Sequence, residues 1–123
     1  EHIWADHPER HVDEFVHPKD FADYRNAIGG LLLLPKKFNA SYGDLPYGEK
    51  LPHYLTQNLL ARSLHPQCYD RNPGFLQFIQ RSGLPFRAHE TFKKPDIEER
   101  GELYRKLAQQ VWNPDDLKNA DSL

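Results

Sequence analysis

The chain has no methionine and a single cysteine, Cys68, in 123 residues. One thiol cannot close an intramolecular disulfide, and it rules out a cysteine-built zinc site. Cysteine used this sparingly suits a cytoplasmic protein. Without methionine there is no initiating residue, so the sequence reads as one domain, residues 1–123, cut from a longer protein. Long apolar runs are also missing. The longest, Leu31 to Leu34, falls far short of the ~18 residues a membrane span needs, and no signal peptide is expected. Internal repeats and low-complexity tracts are absent. What remains is 38% hydrophobic and 28% charged, the balance of a soluble globular domain with a thin core.

A strong positive charge is lacking as well. The formal net charge is −2, which by itself argues against a nucleic-acid partner. The distribution argues the other way. Residues 1–24 carry two basic and seven acidic groups, residues 25–94 ten basic and four acidic, and residues 95–123 four basic and seven acidic. A basic block therefore lies between two acidic ends, and a local patch can meet phosphate when the total charge does not.

The pattern along the chain predicts an α+β domain, with a little strand early and helices later. Pro8 and Pro18 keep the first twenty residues irregular, and Phe21 to Ala27 reads as a brief helix or turn. After Gly29-Gly30, the run Leu31 to Leu34 ended by Pro35 is a buried strand on length grounds. Residues 35–50 have the composition of a loop. Leu51 to Leu64 carries a four-residue leucine repeat and reads as a helix. A second helix starts from the Asn72 cap with Pro73 and closes at Gly83. A third opens at Pro95-Asp96, bears the stripe Ile97, Tyr104, Leu107, Val111, and ends at Trp112 before Asn113-Pro114.

Five of the seven histidines, His2, His7, His11, His17 and His53, fall in the first 53 positions. Solvated histidines in polar loops are one reading, and the natural one for His7, His11 and His17. A histidine-rich zinc site is another. His7 and His11 are four apart as on a helix face, although Pro8 interrupts that helix. A hydrolytic reading starts from Glu1-His2-Ile3. Neighbours on an extended strand point to opposite faces, so this carboxylate and this imidazole would serve different roles. Histidine is the general base suited to neutral pH, and carboxylate and amide oxygens suit a hard cation.

Three blocks, EHIW at 1–4, AIGGLLLLPKKFNASYGDLPYGEKLPHY at 27–54 and DIEERGELYRKLAQQVW at 96–112, together resemble a known family. It is the His-Asn-His (HNH, His-Me finger) nuclease domain that closes GmrSD-type modification-dependent restriction enzymes and phosphorothioate-sensing Ssp-type phage-defence effectors. The resemblance covers most of the chain and implies a small ββα-metal core, a short β-hairpin plus helix, with additional C-terminal helices. It assigns His2 as the general base, Glu1 as the acidic metal ligand, and Asn39 as the second metal ligand in the site. Lys50 falls where the family has a basic residue near the phosphate, with Lys36 and Lys37 as further phosphate contacts. Arg100 and Trp112 match positions of the last helix and read on their own as packing and surface residues. Tyr42 and Tyr47 could stack on DNA or pack in the core.

The implied activity is Mg²⁺- or Mn²⁺-dependent cleavage of double-stranded DNA in restriction. Triggering would come from an N-terminal NTPase or sensor domain of the same polypeptide. One departure stands out: the family places Asn after the glycine of its Ile-Gly strand, and here the residue is Gly30. Asn26 lies nearby as a possible substitute in supporting the site. Gly30 also motivates the alternative of a decayed HNH-like module that binds DNA or a partner without cutting. A zinc-bound structural domain is the third reading.

Overall fold

The computed structural model describes residues 1–112. Proline sets where most of its helices begin. Pro18 opens α1 (Pro18–Arg25), Pro73 opens α5 (Pro73–Ser82), and Pro95 lies in the first turn of α6 (Lys94–Val111). A missing N–H costs nothing at these positions. Pro35 and Pro46 stand immediately before α2 (Lys36–Tyr42) and α3 (Tyr47–Tyr54). The short α4 (Leu59–Arg62) is capped by Asn58, whose side chain accepts from the Ala61 N–H at 3.2 Å. Asn72 caps α5 through Phe75, and Gly83 closes it at φ +68°, in the left-handed region that favours glycine. Single 3-10 turns occupy Pro8–His11, Ile28–Gly30 and Pro66–Tyr69.

The two C-terminal helices α5 and α6 stand where the sequence places them. Asn113 and Pro114, expected to stop the last helix, lie outside the described residues.

The ββα core with a β-hairpin is not present among the described residues. The fold is dominated by helices, six of them among the described residues, and the β pairing seen there is an isolated antiparallel bridge, His2 to Leu31. Two features keep the pairing short. The segment before Leu31 is wound into the Ile28–Gly30 turn, and Pro35, which has no N–H to donate, stands four residues later, immediately before α2. Residues 35–50, expected as loop, instead hold α2 and the start of α3. Burial overrides their turn-rich composition: Phe38 is 4% exposed and stacks on Tyr54 with ring centroids 5.4 Å apart. The single helix expected over Leu51 to Leu64 is two helices, because the chain leaves α3 after Tyr54 and is capped afresh at Asn58.

Two apolar clusters hold these elements. One gathers Ile3, Trp4, Phe21, Leu32, Tyr54 and Ile97, and the other Cys68, Phe75, Leu84, Phe86 and Leu103. Helix α6 contributes Ile97 to the first and Leu103 to the second, so it ties the N-terminal segment to the α5 region. Trp4 and Phe21 stack face to face at 5.6 Å, and the Trp4 indole N–H donates to Phe92 O at 2.7 Å. No helix among the described residues is long and apolar enough to cross a membrane.

Candidate active site

His2 and Leu31 face each other as a non-hydrogen-bonded antiparallel pair. The flanking bonds are Ile3 N to Gly30 O and Leu32 N to Glu1 O, both 2.9 Å. Extended residues alternate between faces, and burial follows that rule here. Ile3 is 0% and Leu32 5% exposed, and the Glu1 side chain is 1% exposed. These three point inward, whereas the half-buried His2 and Leu31 share the outer face. Glu1 and His2 therefore lie on opposite sides of one short strand.

On the outer face, His2 Nε2 lies 2.9 Å from Asn26 Oδ1. An amide oxygen can only accept, so Nε2 carries the hydrogen. In the neutral ring Nδ1 is then left with a free lone pair. Asn26 is held at the C-terminal end of α1, its own N–H bonded to Ala22 O at 3.0 Å. Burial holds the His2 pKa below the ordinary 6.5, opposed in part by the Asn26 hydrogen bond. The departure at Gly30 has a counterpart in packing. Gly30 is buried, and a Cβ there would lie 3.2 Å from Arg25 O and 3.3 Å from Tyr24 O. The side-chain amide that meets His2 comes from position 26.

On the inner face, Lys50 of α3 is 0% exposed. Its ammonium donates to His2 O at 2.9 Å and to Ile3 O at 3.3 Å, and lies 3.5 Å from Glu1 Oε2. The Tyr54 hydroxyl donates to the same Glu1 oxygen at 3.4 Å. Burial pulls the Lys50 pKa down from its ordinary 10.5, and the Glu1 charge opposes that pull. The expectation that Lys50 contacts a DNA phosphate is corrected by this placement, since its charge is used inside the protein under the His2 backbone. Helix α3 sets Lys50 one turn before the buried Tyr54 and beside the buried Leu51, which carries it to the inner side. Replacing Lys50 by methionine would leave Glu1 buried without its cation. Breaking a buried pair in this way is expected to destabilise by about 3–5 kcal/mol. Adding Glu1→Gln to Lys50→Met should recover part of the loss, and urea unfolding of the single and double variants measures both.

Helix α6 fastens the residue opposite His2. The Tyr104 hydroxyl donates to Leu31 O at 3.2 Å and accepts from Arg100 Nη2 at 3.3 Å. Arg100, 1% exposed, also donates to Leu60 O at 2.7 Å and to Ser63 Oγ at 3.1 Å. Arg100 is thus an internal brace; Trp112 is 72% exposed at the end of α6. Nothing in the sequence marked Tyr104 apart from its place in the apolar stripe.

Asn39 lies exposed on α2 with the exposed Lys36 and Lys37. Among the described residues no hydrogen bond joins it to Glu1 or His2. A divalent ion shared by Glu1 and Asn39 does not fit these residues. The Glu1 carboxylate faces the core beside an ammonium, while Asn39 faces solvent. Among the described residues no three His, Cys, Asp or Glu side chains form a group able to hold a metal ion.

His7 is instead held between Glu9 and Asp44, each at 2.7 Å, and His11 pairs with Glu14 at 3.0 Å. Tyr42 stacks on His53 at 3.9 Å, and Tyr47 packs on Phe92 while its hydroxyl donates to His89 O. Both tyrosines serve packing.

The family described as GmrSD restriction endonucleases, C-terminal domain, matches residues 1–107. No curated protein and no solved structure matches the chain.

Proposed function

The chain belongs to the family of C-terminal domains of GmrSD restriction endonucleases, and from that premise we propose that it is a DNA-cleaving domain of His-Asn-His type with His2 as general base. The observation that carries this reading is the His2 Nε2–H donated to Asn26 Oδ1 at 2.9 Å. It fixes the tautomer that leaves Nδ1 able to take a proton from water. The resulting hydroxide attacks phosphorus, a P–O bond forms, and the bond to the 3′ oxygen breaks. The leaving 3′ oxygen takes up a proton from solvent water, and His2 Nδ1 returns its own proton to solvent to complete the cycle. Lys36 and Lys37 supply phosphate contacts that are sequence-independent and weaken with salt. Lys50 and Glu1 act from beneath, as the ion pair that holds the His2 backbone.

The substrate is double-stranded DNA met during restriction of foreign DNA in the cytoplasm. An N-terminal NTPase or sensor domain of the same polypeptide triggers cutting. Mg²⁺ or Mn²⁺ dependence follows from the family resemblance. Glu1 and Asn39 do not converge on a shared ion position. The decayed-module alternative rests on Gly30; the Asn26 side chain beside His2 supports the active reading over it.

Incubating supercoiled plasmid with the folded chain, with and without Mg²⁺ or Mn²⁺, should give relaxed or linear product. Intact plasmid under every ionic condition would sink the reading.

The pH dependence carries a sharper test. The base must be neutral, and its pKa lies below 6.5. Cleavage should therefore be on its plateau at neutral pH and fall only on the acid side of the ordinary histidine range. The same lowered pKa means that the unfolded chain binds the proton first as pH drops. Stability then rises with pH through that window and is lost below it. Asn26→Asp places a carboxylate on Nε2 and should move the acid limb of the rate profile to higher pH. Asn26→Ala removes a contact that raises the pKa and should move the limb lower, with a reduced plateau. Identical profiles for all three proteins would separate Asn26 from His2.

A further inference from the structure

Leu33 lies two residues beyond Leu31 on the same extended segment. Alternation puts it on the face that carries His2, roughly 6–7 Å further along. It is 91% exposed, while its neighbour Leu32 is 5% exposed. The backbone that displays it is hydrogen-bonded. Leu33 O accepts from Asn58 Nδ2 at 2.7 Å, and Asn58 is itself held as the cap of α4. On the one side Leu32 N is bonded to Glu1 O at 2.9 Å, and on the other Pro35 leads directly into α2. Lys36 and Lys37, both exposed, follow in the first turn of α2. An exposed leucine on hydrogen-bonded backbone therefore lies, along the chain, between the strand residue paired with the candidate base and two exposed lysines.

We propose that Leu33 is a DNA contact: an apolar wedge that enters the minor groove beside the scissile phosphate and opens a base step, while Lys36 and Lys37 hold adjoining phosphates. The proposal rests on the reading that the His2 face meets DNA. Its chemistry is that of leucine side chains pushed between base steps, where unstacking is repaid by closer contact along the bent duplex. Lysines beside the wedge match the flanking phosphates in charge. A wedge also accounts for a leucine being held out by a hydrogen-bonded backbone in place of folding back onto the core. Kinking toward the major groove would open the minor groove over the wedge and set its widened edge against the His2 face without base-specific contacts, so the device acts on DNA of any sequence and favours steps that unstack readily.

The test compares the parent with Leu33→Ser and Leu33→Met. Binding to a short duplex with 2-aminopurine at its TA steps is measured with each protein carrying His2→Ala, so that no cutting occurs. Unstacking should raise the fluorescence with the leucine and methionine forms and leave it near the free-duplex value with serine. With His2 present, Leu33→Ser should slow plasmid cleavage about tenfold and Leu33→Met should restore it. On a duplex already opened by a mismatch at the cut step, the serine penalty should shrink to less than about twofold. The melting temperature should not change, because the side chain is in solvent.

Equal fluorescence for serine and leucine overturns the wedge. A drop in melting temperature, or a dimer of the parent that Leu33→Ser turns into a monomer, also overturns it, since protein would then cover the leucine. If the parent cuts no DNA but the fluorescence still depends on Leu33, the nuclease reading fails and the wedge stands.

Discussion

Replacing His2 by alanine is expected to slow plasmid cleavage by about 10²- to 10⁴-fold, the range lost with a positioned proton acceptor. Stability should hardly move, because the half-buried ring makes one hydrogen bond, to Asn26, and such a bond contributes about 1 kcal/mol net. The pairing beneath does not depend on the ring. Ile3 N to Gly30 O and Leu32 N to Glu1 O are backbone bonds, and Lys50 bonds the His2 carbonyl oxygen. A large loss of rate with a melting temperature lowered by only a few degrees is thus the signature of a base, and initial rates on supercoiled plasmid beside thermal unfolding read both. A His2→Ala protein that cuts as fast as the parent would remove His2 from the chemistry, whatever else the domain does.

Gly29→Ala should be the most damaging small substitution for the fold. A Cβ at Gly29 would lie 2.0 Å from Ile97 O and 2.5 Å from Gly101 N, both backbone atoms of α6. Neither can swing aside as a side-chain tip would, so α6 must back away from the Ile28–Gly30 turn. The expected cost is on the order of 4 kcal/mol, at the upper end for a single substitution. The movement would also pull Tyr104 from Leu31 O and loosen the residue opposite His2. Gly101→Ala is the matched control. Its Cβ would meet nothing closer than Gly29 N at 3.9 Å, and alanine in a helix interior is favoured over glycine by roughly 0.5–1 kcal/mol. Urea midpoints of the two variants should therefore move in opposite directions. A Gly29→Ala protein as stable as the parent would mean that α6 does not pack on this turn as described.

The sequence by itself determined a good deal. It located α5 and α6, because Asn72-Pro73, Gly83 and Pro95-Asp96 are local signals that act through one turn of chain. It separated Glu1 from His2, because alternation along an extended strand needs no tertiary information. It pointed to Asn26 once Gly30 was seen to depart from the family pattern, and it carried the family itself in the order of its blocks.

The tertiary structure decided the rest, for reasons that are not local. The pairing of His2 with Leu31 spans 29 positions, and a four-leucine run does not say how many of its residues will be paired. α2 forms from a turn-rich stretch because Phe38 finds Tyr54. Lys50 turns inward because a buried carboxylate and two carbonyl oxygens await it, and nothing in a lysine's neighbours along the chain reveals what it will meet across the core. Gly29-Gly30 reads as punctuation in the sequence. Only the close approach of α6 shows that the first of the two glycines is a packing contact, and only the burial of Leu32 and Ile3 shows which side of the strand His2 and Leu33 must face.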